Sequence, residues 1–199
     1  MELMIRKRSS EALVMILRYV HRKLNLLEMA GVYIASIGIL VAMCVTAVDV
    51  FMRYVIGSPL AWWYDFLMNY IIIAIFYLSF SYTLAHHGHL TVGYFARKMP
   101  LRFTYIAFCF GLLIGSIFFY LIGKSAVQES IAAYVNNDVQ FGVILWPVWI
   151  TKALIAYGIL TLALRCLHFF ICYLIASIDS GVLERIGIAS GVTDLDEAS

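Results

Sequence analysis

Four charged side chains, each at the edge of a long apolar run or just inside one, are the clearest chemistry in this sequence: Asp49, Arg53, Asp65 and Lys152. Asp49 and Arg53 are spaced i,i+4, which suits an ion pair on one helix face. Asp65 follows Trp62 by three residues, and Lys152 follows Trp149 by three. Two acids and two bases at one depth predict a neutral cluster that ties three helices together. The alternative is that each side chain snorkels separately to the headgroups.

The histidines and cysteines offer less. His86, His87 and His89 lie close together, but a metal site needs three or four converging ligands, and no Cys or carboxylate stands near them in sequence. They read as interfacial histidines near headgroups or a partner. His168 facing one of them across the same membrane face would suit a haem. That keeps a haem- or quinone-associated membrane anchor of a respiratory enzyme as the alternative function. Cys44, Cys109, Cys166 and Cys172 lack C-x-x-C spacing and read as small apolar packers. No nucleophile–base pairing, Gly-rich phosphate loop or pair of carboxylates at catalytic depth is found. The expectation is a protein that is not an enzyme, with no metal, no cofactor and no nucleic-acid partner.

The elements that carry these residues are built for lipid. Met29–Val48, Phe66–Ala85 and Phe103–Gly123 are apolar runs of about 20 residues, enough at about 1.5 Å per residue to cross the roughly 30 Å hydrocarbon core. The chain is 63% hydrophobic and 13% charged, with a mean hydropathy of +0.91, far from globular composition. A fourth span is expected over about Ile144–Leu164. Val139–Val143 would dip along the interface before it, and the helix would continue past Arg165 into a surface segment. A broken helix around Trp146-Pro147 is the alternative. The fold class is therefore an all-α integral membrane protein with four transmembrane helices.

Six of the fourteen basic side chains (Arg6, Lys7, Arg8, Arg18, Arg22, Lys23) precede the first span, and Arg97, Lys98 and Arg102 follow the second. The positive-inside rule then places both termini in the cytoplasm. Trp62, Trp63, Trp146 and Trp149 all fall at the opposite, outer interface. Leu13, Ile16, Leu17, Val20, Leu24 and Leu27 recur at helical spacing with Glu11, Arg18, Arg22 and Asn25 opposite, which predicts an N-terminal interfacial amphipathic helix against membrane lipid or a partner subunit. No cleavable signal peptide is expected. Three regions result: a cytoplasmic N-terminal segment over 1–28, a four-helix membrane domain over 29–170, and a cytoplasmic tail over 171–199.

The order of punctuation is specific. Asp49-Val-Phe-Met-Arg53-Tyr54 closes the first span, and Gly57-Ser-Pro59-Leu-Ala-Trp62-Trp-Tyr-Asp65 enters the second. His89-Leu-Thr-Val92 leads on to Met99-Pro100, and Trp146-Pro147-Val-Trp149 precedes Gly158. Over about residues 29–170 this resembles the small membrane subunit (Q-type) of tripartite ATP-independent periplasmic transporters. The sequence departs from the family pattern at Asp65 (usually Glu), at Gly93 (usually Asp) and at Tyr157, where a family Pro is missing. The resemblance implies a bacterial inner-membrane location and two partners: a large multi-span permease subunit and a periplasmic solute-binding protein that delivers an organic acid. It implies sodium-coupled uptake by the large subunit, with the small one as its scaffold. Asp49, Arg53, Asp65 and Lys152 are the expected structural cluster, and Trp62, Trp63 and Pro59 the expected contacts with a partner. Gly31, Ala35, Gly38 and Ala42 line one side of the first span, for close approach either to a partner or to a neighbouring helix of the same bundle.

Overall fold

The computed structural model describes the backbone of residues 2–86 and 101–176, and side chains from 14 to 86 and from 106 to 175. His87, His89, Gly93, Arg97, Lys98, Met99-Pro100 and the tail from 177 lie outside the described residues. Among the described residues, four helices are long and apolar enough to cross a membrane. We label them α1 (Glu2–Phe51), α2 (Ala61–Ala85), α3 (Leu101–Val135) and α4 (Val148–Ala176). The all-α, four-span class expected from the sequence is the class observed.

α1 is a single helix. Nothing in the chain interrupts it: residues 2–30 contain neither Gly nor Pro, and Glu28, Met29 and Ala30 all favour helix. The N-terminal segment is thus continuous with the span rather than a separate interfacial helix. Its apolar stripe is also narrower than the sequence pattern suggested. Leu17 and Leu24 are buried, whereas Ile16, Val20 and Leu27 are exposed. The helix ends in a wide π turn, Met52–Ile56, closed by Gly57 at φ 74°. Gly57 N–H and Ser58 N–H both donate to the Met52 carbonyl, a left-handed cap that glycine adopts without strain.

α3 ends at Val135, and in the turn after it Asn137 takes a left-handed φ of 53°. Two short strands follow, β1 (Val139–Gln140) and β2 (Trp146–Pro147), paired antiparallel with Gln140 opposite Trp146. Val139–Val143 therefore belongs to a hairpin rather than to a helix dipping along the interface. α4 starts at Val148, later than expected from the apolar run, because Pro147 ends the strand and serves as the entry residue of the helix.

The second correction concerns the far end of α4. Beyond Arg165 the helix is not a surface segment but the most enclosed stretch among the described residues. Phe169, Cys172 and Tyr173 form a buried cluster with Leu17 of α1, and Leu84, Phe108 and Leu112 pack against it. Along the apolar windows of the spans, 56% of residues are buried in α4 against 11%, 17% and 11% in α1, α2 and α3, so α4 is the core element and the others surround it. Close approaches fix that arrangement. A Cβ at Gly158 would run into the backbone of Tyr77, and one at Gly123 would lie 2.7 Å from Leu160 Cδ2. A Cβ at Gly31 would sit 3.1 Å from the Leu78 carbonyl, and Ala35 is buried. The small-residue side of α1 is therefore spent on α2, inside the bundle.

Candidate functional site

Polar side chains collect in two layers. The first lies at the tryptophan end. Arg53 Nη2 donates to Asp49 Oδ2 at 3.1 Å, and the same carboxylate accepts the Leu60 backbone N–H on Oδ1 at 2.7 Å. Asp49 is buried and so pins the 57–60 loop to α1. Trp63 is buried as well and donates from Nε1 to Thr46 Oγ1 at 3.1 Å. That removes Trp63 from any contact surface, since its ring and N–H are both committed inside the chain. Trp62 and Pro59 remain exposed.

Asp65 and Lys152 do not meet as an ion pair. The carboxylate of Asp65 turns to the hairpin, where it accepts the Val143 N–H at 3.3 Å and fills the space beside Gly142. Lys152 Nζ pairs with Glu129 Oε2 of α3 at 3.3 Å. The expected four-residue cluster is divided into three separate contacts. The short aspartate is held by the loop above it, and Glu129, from the helix next to α4, takes the lysine.

The backbone near Asp65 explains several neutral residues. α2 widens into a π turn at Leu67–Ile71, which leaves carbonyls without their usual helical donors. Asn69 Nδ2 donates to the Asp65 carbonyl at 2.8 Å, and Thr151 Oγ1 of α4 donates to the Asn69 carbonyl at 2.9 Å. Tyr70 OH donates to the Pro147 carbonyl at 2.7 Å, and Phe66, Tyr70 and Trp146 stack around it. Helix α2 is thereby bolted to the start of α4.

The second layer was missed. Glu28 and Arg165 are 3% and 1% exposed, with Arg165 Nη2 at 3.5 Å from Glu28 Oε2. Ser81 Oγ of α2 donates to Glu28 Oε1 at 2.6 Å, and Arg165 Nη2 donates to Asn25 Oδ1 at 2.8 Å. The guanidinium lies 4.9 Å from the centroid of Phe169. His168 stacks against His21 with centroids 5.4 Å apart, and its Nε2 is 3.6 Å from Cys172 Sγ. Among the described residues, Arg165 Nε and Nη1 and Glu28 Oε2 have no hydrogen-bond partner, so the pair holds by charge more than by hydrogen bonding.

A sequence signal for this layer existed. His21, Asn25 and Glu28 share the α1 face of Leu17 and Leu24, and Arg165, His168 and Cys172 share one face of α4. Read one helix at a time, Glu28 and Arg165 only mark where their apolar runs end, and helix periodicity alone cannot show that they face each other.

At about 1.5 Å per residue, Glu28 to Asp49 covers about 31 Å, the depth of a hydrocarbon core, and Lys152 to Arg165 about 20 Å, roughly two-thirds of it. Between the layers, 29–48, 66–85, 106–123 and 153–164 contain no Asp, Glu, Lys or Arg. No group of three or more His, Cys, Asp or Glu among the described residues is placed to hold a metal. His168 faces His21, and the His86 ring lies against Tyr82. The arrangement is two polar clamps on an apolar slab, and those four stretches hold no Asp, Glu, Lys, Arg or His to bind or relay an ion.

No curated protein and no solved structure matches the chain. The family model described as the DctQ component of tripartite ATP-independent periplasmic transporters matches residues 42–175, from within the last three turns of α1 to the end of α4. That is well over half of the 199 residues, and the chain belongs to this family of small transporter membrane subunits, a transporter component rather than an enzyme family.

Proposed function

We propose that this chain is the scaffold of its transporter: it seats a large multi-span permease subunit in the bacterial inner membrane with both termini in the cytoplasm. The large subunit then carries out sodium-coupled uptake of an organic acid brought by a periplasmic solute-binding protein. The observation that carries this reading is the outer surface of α1. From Val14 to Ile56 the helix is about 65 Å long, twice a hydrocarbon core, yet only 11% of its apolar window is buried. Met15, Ile16, Tyr19 and Leu26 are exposed on the stretch that precedes Glu28, beyond the length a hydrocarbon core would cover if Glu28 and Asp49 mark its edges. An apolar face of that length calls for a protein partner. The empty slab between the two polar layers gives the same division of labour, since an anion crossing here would meet no compensating group. At the outer end, exposed Trp62 and Pro59 offer a surface to the binding protein.

The test is uptake in reconstituted liposomes. The large subunit with this chain and the binding protein should take up substrate under a sodium gradient, and this chain should co-purify with the large subunit. Sodium-driven uptake by liposomes holding only this chain would overturn the scaffold role. Orientation is checked separately: a cysteine at position 137 should react with an impermeant thiol reagent from outside, and one at 97 only from inside.

A further inference from the structure

α3 and α4 do not close along their whole seam. Near the tryptophan end a cleft of about 290 Å³ opens between Ser125, Glu129, Lys152 and Ile155. Deeper, a second cavity of about 280 Å³ is lined by Phe76, Phe80, Phe119, Ile159 and Leu162, with carbon on nearly every side. The two share Ile122, and their linings follow one stripe of each helix, Phe119, Ile122, Ala126 and Glu129 on α3 and Lys152, Ile155, Ile159 and Leu162 on α4, so they lie end to end along the seam as a groove with a charged mouth and an apolar floor. From Lys152 to Leu162 is ten residues of α4, about 15 Å, half of a roughly 30 Å hydrocarbon core and so the depth of one leaflet.

We propose that this groove seats one aminophospholipid from the leaflet at the tryptophan end, with its phosphate on Lys152, its ammonium on Glu129 and an acyl chain along Ile122 to Phe119 and Leu162.

Two features select this occupant. The mouth carries one cation and one anion 3.3 Å apart, Lys152 being about one-third exposed and Glu129 well exposed, so both have valences left for a headgroup. A zwitterion with N–H donors satisfies both, through charge-assisted hydrogen bonds to the phosphate and from the ammonium. An anionic headgroup would meet Glu129 with like charge, and a choline headgroup has no N–H to donate. The floor then excludes a helix: with side chains a helix is about 10–12 Å across, too broad for a 280 Å³ cleft, whereas an acyl chain is one methylene wide. The groove is independent of the scaffold reading, because it is formed by this chain alone.

The experiment is native mass spectrometry of the delipidated full-length chain, titrated with phosphatidylethanolamine, phosphatidylcholine and phosphatidylglycerol of identical acyl chains. One phosphatidylethanolamine should be retained about tenfold more tightly than either other lipid. Lys152→Ala and Glu129→Ala should each weaken it about tenfold. Ala126→Leu, which narrows the groove beneath the mouth without touching a charge, should weaken all three lipids. Lys124→Ala, outside the groove, should change nothing. Melting temperature measured on each variant separates loss of the lipid from loss of the fold. Equal retention of the three lipids, or unchanged phosphatidylethanolamine binding in folded Lys152→Ala and Ala126→Leu, would overturn the proposal. So would cross-linking of a cysteine at 126 to the large subunit in place of lipid.

Discussion

Arg165→Met tests the buried clamp most directly. The guanidinium is 1% exposed and Glu28 3% exposed, so the substitution leaves a carboxylate enclosed with only the Ser81 hydroxyl as donor. Breaking one side of a buried pair costs about 3–5 kcal/mol, and loss of the Asn25 bond and the Phe169 ring contact lies within that figure. Glu28→Gln is gentler. The amide oxygen still accepts from Ser81, and Arg165 keeps Asn25 and Phe169, so the loss should be that of a charged contact, about 1.5–3 kcal/mol. In the double variant Glu28→Leu/Arg165→Met no orphan charge remains. Its cost should fall short of the summed singles by at least about 1 kcal/mol. Unfolding by sodium dodecyl sulfate in mixed micelles, followed through the four tryptophans, reads these differences. An Arg165→Met protein within about 0.5 kcal/mol of the parent, or strictly additive singles, would show that the pair does not hold α1 to α4.

Gly158→Ala should cost about 1–3 kcal/mol by forcing α4 away from the Tyr77 backbone, since the new Cβ would lie 2.7 Å from Tyr77 C. Gly111→Ala, with nothing within 4 Å, should be neutral or gain about 0.5–1 kcal/mol in the same micelle unfolding assay. Asp65→Asn and Lys152→Ala should add within about 0.5 kcal/mol, because the two residues serve different contacts; a larger coupling would restore a direct pair.

The four spans were legible in the sequence because lipid demands an unbroken apolar helix long enough to cross it, and that requirement is local. The same holds for the Asp49–Arg53 pair, whose i,i+4 spacing decides its geometry within one helix. Where two helices meet, the sequence was silent. Lys152 had Asp65 and Glu129 as acids near its depth, and only the α3–α4 packing selects Glu129. Trp63 and Trp62 are neighbours of identical type, yet rotation of α2 buries one and exposes the other. Arg165 marked the end of a span when α4 was read alone. In the folded chain Glu28 arrives from 137 residues earlier, and the same arginine becomes the largest fully buried side chain among the described residues. Composition and periodicity settle what each helix can tolerate around it; which charge neutralises which depends on the rotation and depth of helices packed against one another, and only the tertiary structure sets those.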